Sequence, residues 1–190
     1  MDAFGHIRMV IGFILSISIA RLLLGAVKLI QHPGRTRPFG VHLLWAFYIF
    51  LLMIHFWWWE YKLRAIQVWF FQEYFFLILY VILYFILCAL LFPDDLKDYE
   101  DSYAEYFYSR KNWFFGVLAF TYAADVIDTA MKGAHYFLHF GWEYPIRNAV
   151  HFVLCLVAMW VSNRRFHWVL VTFFILYELS YILRLYDTTG

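Results

Sequence analysis

The sequence predicts an all-helical integral membrane protein, and three observations support this fold class. Hydrophobic residues make up 64% of the 190-residue chain, whereas soluble domains contain about 45–50%. The mean hydropathy is +0.63. The apolar residues fall in runs of about 20, which is the length that crosses a bilayer as a helix. Since no strand-like alternation interrupts these runs, the sequence predicts a bundle of helices with lipid as its solvent.

Six segments satisfy this length rule and predict the spans of the bundle. We expect helices near residues 9–30, 40–62, 67–92, 112–132, 147–163 and 166–186. Arg8 and the apolar stretch behind it resemble a signal peptide, but we expect that stretch to form the first half of a span. The turn QHPGRTRPFG, with two prolines and two glycines, ends the first helix. Pro145 suits the first turn of the fifth helix.

The longest connection, residues 93–111, separates two predicted three-helix halves, 1–92 and 112–190. Residues 93–112 carry six acidic and three basic side chains. Aromatic residues recur in this connection at the spacing of an amphipathic helix: Tyr99, Tyr103, Tyr106 and Phe107. We therefore predict an interfacial helix over 94–109 with its tyrosines toward lipid. A calcium loop is not expected, because the EF-hand spacing and its central glycine are missing.

The two halves share a weak sequence similarity. Sliding the fourth helix over the first by 104 residues aligns four identical pairs: Gly12 with Gly116, Ala20 with Ala124, Ala26 with Ala130, and Lys28 with Lys132. Three spans per half would place the halves in opposite orientations, as in many transporters. The sequence thus predicts a 3+3 inverted repeat in which the first helix packs against the fourth near the bundle centre.

Several ionisable residues lie inside the predicted spans. Arg21, Asp125 and Glu178 are near helix centres, Asp128 is one turn from Asp125, and Glu73 is nearer the start of its helix. A charge at mid-membrane costs about 2.5–3.5 kcal/mol by insertion scales. We therefore predict that Arg21 pairs with Asp125, or with Asp128 or Glu178 as the next candidates. Such charges either line a polar path through the bundle or form ion pairs that only fix helix packing.

Histidines suggest an alternative. His42 and His55 are 13 residues apart on the second predicted helix, and His151 is on the fifth. Paired histidines on neighbouring helices can hold b-type haem, but the fifth helix supplies only one. No other cofactor and no metal site is expected, because His135 and His139 lie at a helix end without a third ligand. No nucleotide-binding or hydrolase signature occurs in the sequence, so enzymatic activity is disfavoured.

Charge and composition also constrain location and partners. Eight basic residues fall on one predicted side and six on the other, which places both termini outside the cytoplasm. The strings LLFPDD and SRKNWFFG resemble stretches of bacterial inner-membrane proteins, which implies that membrane for this chain. The net charge of +1 argues against nucleic acid as a partner. The aromatic share of 24% favours a homo-oligomer or partner subunits besides lipid.

These features predict a membrane protein that conducts or transports protons, ions or a small solute through a polar path. One alternative is a non-catalytic subunit of a larger membrane complex, and another is a b-type haem-binding protein. The optical spectrum and the subunit composition of the purified protein would distinguish these three hypotheses.

Overall fold

The computed structural model describes residues 3–66 and 68–185, and over these residues it confirms the all-helical prediction. The α-helices in this part of the chain are α1 (Ala3–Gln31), α2 (Gly40–Trp59), α3 (Phe71–Leu91), α4 (Tyr103–Met131), α5 (Ala134–His139), α6 (Glu143–Trp160) and α7 (Arg164–Leu185). Short 3-10 turns at Glu60–Ala65 and Lys97–Tyr99 adjoin α2 and precede α4. No strand forms among the described residues, which contain two isolated bridges between loop residues.

Five of these helical segments are long and apolar enough to cross a membrane, so the chain is an integral membrane protein. They are Phe4–Gln31, Gly40–Arg64, Phe71–Leu91, Tyr103–Met131 and Arg164–Leu185. The predicted count of six spans is not confirmed. The fifth predicted helix corresponds to α6, which has only 18 residues. Its first turns carry Glu143, Arg147, Asn148 and His151, and these polar side chains lower its mean hydropathy.

Contacts between helix termini define two ends of the bundle. At the ion-pair end, Lys132 after α4 contacts Glu60 after α2, and Tyr144 at the start of α6 contacts α4. At the loop end, two connecting loops meet. The Arg37 N–H donates to the Asp101 carbonyl at 2.7 Å, and the Tyr103 N–H donates to the Arg37 carbonyl at 3.1 Å. Helix α6 packs along α4, and α1 packs along α3.

The predicted interfacial helix over 94–109 is wrong. Only Lys97–Tyr99 forms a 3-10 turn there, and α4 then runs without a break from Tyr103 to Met131. Tyr103 and Tyr106 are buried within the bundle, each 6% exposed. Tyr103 stacks on His42 with 4.5 Å between ring centroids. An apolar stripe at helical spacing indicates a buried face, but it does not distinguish a lipid surface from neighbouring helices.

The predicted inverted repeat is also not confirmed. In the described helices the backbone of α1 approaches α2 and α3 but not α4, so the predicted central contact between the first and fourth spans is wrong. Under the predicted equivalence, the close α1–α3 pairing should have an α4–α7 counterpart, but among the described residues the backbones of α4 and α7 do not approach each other in this way. Small residues such as glycine and alanine are common wherever membrane helices pack closely, so matches of these residues between two apolar segments do not indicate a repeat.

An aromatic layer fills the middle of the bundle. The Trp45 ring lies edge-on to four other rings, with centroid distances of 5.6, 5.5, 5.2 and 5.3 Å to Tyr48, Phe114, Phe115 and Phe174. Trp45, Tyr48, Phe115 and Phe174 are completely buried. The Tyr48 hydroxyl forms a hydrogen bond with the Tyr122 hydroxyl at this level. This layer separates a polar interior at the ion-pair end from the loop end.

Candidate functional site

A buried ion pair lies at the centre of the polar interior. The Arg147 Nη2 on α6 donates to the Glu178 Oε2 on α7 at 2.7 Å, and their side chains are 4% and 0% exposed. The other carboxylate oxygen of Glu178 forms a hydrogen bond with the His55 Nδ1 on α2. Both oxygens of Glu178 therefore have partners, and three helices are joined through one carboxylate.

Asp125 on α4 lies beside this pair and is its most accessible neighbour, with a side chain 20% exposed. Its Oδ2 accepts hydrogen bonds from the Tyr144 hydroxyl at 2.8 Å and the Asn148 Nδ2 at 3.1 Å. Its Oδ1 accepts one from the Tyr80 hydroxyl at 3.3 Å. The Arg147 Nη1 is 4.0 Å from Oδ2. Asp125 thus accepts hydrogen bonds from three other side chains and lies beside a guanidinium.

A second group of charges lies one turn nearer the ion-pair end. The Lys132 Nζ donates to the Asp128 Oδ2 at 2.5 Å and to the Glu60 Oε1 at 2.9 Å. The three side chains are 1%, 0% and 4% exposed, respectively. The Nζ also lies 5.4 Å from the centroid of the Trp59 ring. One ammonium group thus donates hydrogen bonds to two buried carboxyl groups, one on α4 and one in the turn after α2.

The charges of these two groups do not balance if every acid is ionised. We call Arg147, Glu178, His55, Asp125, Lys132, Asp128 and Glu60 together the acidic cluster. It holds four carboxyl groups but only two permanently charged cations. Unpaired buried charge is expensive, and a buried site compensates by binding protons or a counter-ion. The cluster therefore has the composition of a proton-binding site.

A small cavity adjoins the cluster. It has a volume of about 30 Å³ and is lined by His55, Asp125, Arg147, Tyr80 and Tyr84, among others. A space of this size holds one or two waters. Polar groups surround it on several sides, so water there would connect the Asp125 carboxylate with the tyrosine hydroxyls. The aromatic layer closes the cavity toward the loop end, because Tyr122 lines it and bonds to Tyr48 within that layer.

A solvent-exposed ion pair lies at the rim of the ion-pair end. The Arg184 Nη2 and Nη1 donate to the two carboxylate oxygens of Glu143 at 2.5 and 2.9 Å, and the Tyr177 hydroxyl donates to Oε1 at 3.0 Å. Hydrogen bonding from Arg184 lowers the pKa of Glu143 from its ordinary value. Because the side chains of Glu143 and Arg184 are 39% and 48% exposed, this pair is a natural comparison for the buried one.

The predicted pairing of Arg21 with Asp125 is wrong. The Arg21 Nη2 instead donates to the Asp94 Oδ1 at 3.1 Å and to the Phe92 carbonyl at 3.2 Å, at the loop end. Its side chain is 31% exposed. The long side chain of arginine carries the guanidinium from an apolar helix to the polar connection after α3, as snorkelling side chains do near membrane surfaces. Asp128 and Glu178 pair with Lys132 and Arg147 instead.

The other predicted site residues lie at separate places. Glu73 accepts a hydrogen bond from the Phe70 N–H at 3.1 Å and caps the start of α3. The His42 Nε2 bonds to the Leu91 carbonyl at 2.6 Å near the loop end, whereas His55 is in the acidic cluster. The His151 Nδ1 bonds to the Arg147 carbonyl at 2.8 Å. Binding of haem by these histidines stays a prediction.

Sequence reasoning missed three members of the acidic cluster, which are Arg147, Lys132 and Glu60. It also missed Tyr144 and Asn148, which donate hydrogen bonds to Asp125. Arg147 and Lys132 lie at the ends of the helices predicted from the sequence, where a cation ordinarily reaches water, so the sequence predicts that both lie at the membrane surface. The i,i+4 spacing of Asp128 and Lys132 was a usable signal, because it places the two side chains on one helix face.

Comparisons with models of protein families, with curated proteins and with solved structures give no match for this chain. The arguments about its function therefore start from the chemistry of the acidic cluster.

Proposed function

We propose that the protein transfers protons across the membrane and that the acidic cluster is the site that binds them. The observation that carries this proposal is the excess of carboxyl groups over permanent cations inside the bundle, four against two. A bound proton removes this imbalance at the least cost, since it needs no coordination shell. Ionisable residues inside membrane proteins are characteristic of ion pathways and proton relays.

Asp125 is the group through which a proton reaches the cluster. It is the most accessible of the four acids, and it borders the water-sized cavity together with His55. Histidine takes up and releases protons near neutral pH more readily than other side chains. His55 contacts Glu178 directly, so a proton on its imidazole is held beside a carboxylate. The relay runs from Asp125 across the cavity to the His55–Glu178 pair.

Transfer to the loop end requires the aromatic layer to open. The Tyr48 and Tyr122 hydroxyls are the polar atoms that continue from the cavity into this layer. Rings packed edge to face around Trp45 exclude water. We propose that a movement of α7 or α4 at this level admits water, as gating by a hydrophobic constriction does in channels.

Proton flux into liposomes tests this function. The purified chain is reconstituted with a pH-sensitive dye inside, and a potassium diffusion potential drives uptake. We expect flux above that of protein-free vesicles, and a loss of most of it in Asp125→Asn. The matched control is Glu105→Gln, an exposed acid at the opposite end of the same helix, which should leave flux unchanged. Equal flux in Asp125→Asn and the control would refute the role of the cluster.

The same preparation tests the remaining predictions. A haem absorption band would support the haem-binding alternative, and a fixed set of co-purifying chains would support the accessory-subunit alternative. The predicted homo-oligomer, the bacterial inner membrane and the outward termini are likewise proposals, for which sizing, fractionation and accessibility labelling are the measurements.

A further inference from the structure

Two adjoining cavities lie at the loop end, far from the acidic cluster. The first, which we call the α1 groove, has a volume of about 420 Å³ and runs along α1 beside Phe85 and Phe92. The second, which we call the head pocket, has a volume of about 320 Å³ and lies beneath the two connecting loops. Both are lined by Lys28, Pro93, Asp94 and Tyr103, so the two spaces meet.

The α1 groove is apolar over most of its length and faces outward. Leu24 and Ile17 are 61% and 44% exposed. A side chain at Gly25 would lie 2.1 Å from the Phe92 ring, so the absence of one lets that ring reach the helix and form the groove wall. Lipid acyl chains surround the outer face of a membrane-spanning helix, so an exposed apolar channel on that face is filled by an acyl chain.

The head pocket carries both signs of charge. Its basic side chains are Lys28, Arg35 and Lys97, and Arg21 reaches its edge from the groove. Its acidic side chains are Asp94, Asp95 and Asp101. The guanidinium of Arg21 carries five N–H donors on three nitrogen atoms. Its Nη2 donates to Phe92 and Asp94, whereas its buried Nε has no hydrogen-bond partner among the described residues. The pocket thus offers donors for an anion and carboxylates for a cation side by side.

We propose that this composite site binds one phospholipid whose head group combines a phosphate with a primary ammonium, as phosphatidylethanolamine does. The acyl chain occupies the α1 groove, the phosphate accepts from Arg21 and Lys28, and the ammonium donates to Asp94 and Asp95. Only an amphiphile matches an apolar groove that continues into a charged pocket. An anionic head group would bring no ammonium donor to these carboxylates, and a quaternary ammonium could not donate hydrogen bonds to them.

The proposal explains why Arg21 is tolerated within a long apolar helix. Its guanidinium lies where the polar connection after α3 meets the lipid head groups, and it does not lie in hydrocarbon. Each hydrogen bond from a basic side chain to the lipid phosphate should favour binding by about fivefold, which is the typical net value of one hydrogen bond. The loss of two of them should weaken binding by about 30-fold if their contributions are independent.

Native mass spectrometry of the delipidated full chain, titrated with lipids in detergent, tests the site. We expect phosphatidylethanolamine to bind at least about tenfold more tightly than phosphatidylglycerol or phosphatidylcholine. Arg21→Gln with Lys28→Gln should weaken its binding by about 30-fold, because two hydrogen bonds to the phosphate are lost. Asp94→Asn with Asp95→Asn should remove the preference over phosphatidylglycerol. Arg8→Gln, on the same helix at the other end, is the control and should bind as the wild type does.

Two further measurements keep the outcome decisive. Lys28→Gln alone removes one hydrogen bond to the phosphate and should weaken binding by about fivefold. It tests the site even where the double variant fails to fold. Free phosphoethanolamine should not displace the lipid, since it has no acyl chain for the groove. Equal affinity for the three lipids, unchanged binding in Lys28→Gln, or displacement by phosphoethanolamine would each overturn the proposal. None of these results depends on whether the protein transfers protons.

Discussion

Replacing Arg147 by methionine removes the principal cation of the acidic cluster while keeping a long, flexible side chain. In the folded protein this change leaves Glu178, 0% exposed, with His55 as its remaining partner, and it deprives Asp125 of its nearest positive charge. Removing one partner of a buried ion pair typically costs about 3–5 kcal/mol. We expect a loss of this size in the free energy of unfolding, reduced where Glu178 or Asp125 takes up a proton.

The assay is reversible unfolding of the purified protein in mixed micelles of a mild detergent and dodecyl sulfate. Arg184→Met is the matched control, because Arg184 makes a bidentate pair with Glu143 in a solvent-exposed setting. Exposed pairs contribute little to stability, so the control should shift the transition only slightly.

Combining Arg147→Met with Glu178→Gln removes the stranded charge and should restore part of the stability, since a neutral buried pair is cheaper than a lone carboxylate. The reasoning is refuted if Arg147→Met and Arg184→Met have the same effect. It is also refuted if the double variant is less stable than Arg147→Met alone.

Three further predictions follow from the same geometry. Lys132→Met should destabilise the fold by about 3–5 kcal/mol. Glu60→Gln should be much milder, because Lys132 keeps Asp128 as its partner and no charge is left unpaired. Unfolding in mixed micelles compares the two variants. The lowered pKa of Glu143 makes its pairing with Arg184 fully stabilising above the ordinary glutamate pKa of about 4.3, and that contribution is lost as the pH falls through the lower folded value. Glu143→Gln should therefore flatten the acid limb of a stability–pH profile. Trp45→Ala should cost about 3–5 kcal/mol and raise proton leak in liposomes, which dye quenching measures.

Much of the helical architecture could be predicted from hydropathy alone. The second, third and seventh helices begin and end within a few residues of the predicted limits, because proline, glycine and polar clusters mark their ends. Helix α4 differs, since it starts at Tyr103 and not near residue 112. Its first turns carry Glu105 and Arg110, which hydropathy assigns to a surface segment, although Tyr106 in the same turns is buried.

The acids of the candidate site were predictable and their partners were not. Asp125, Asp128 and Glu178 are conspicuous as carboxyl groups in apolar runs. Which cation meets which acid depends on the rotation and neighbours of each helix, and hydropathy reports only position along a helix. Arg21 illustrates this limit, because its partners are Phe92 and Asp94, more than 70 residues away along the chain.

Infrared spectroscopy of the purified protein at neutral pH tests the central claim most directly, because it detects protonated carboxyl groups. The account predicts a band from a buried carboxylic acid that disappears in Glu60→Gln combined with Asp128→Asn and shifts when Asp125 is replaced by Asn. The band should persist in Glu105→Gln. A spectrum in which every carboxyl group of the acidic cluster is ionised would contradict the assignment of the cluster as a proton-binding site.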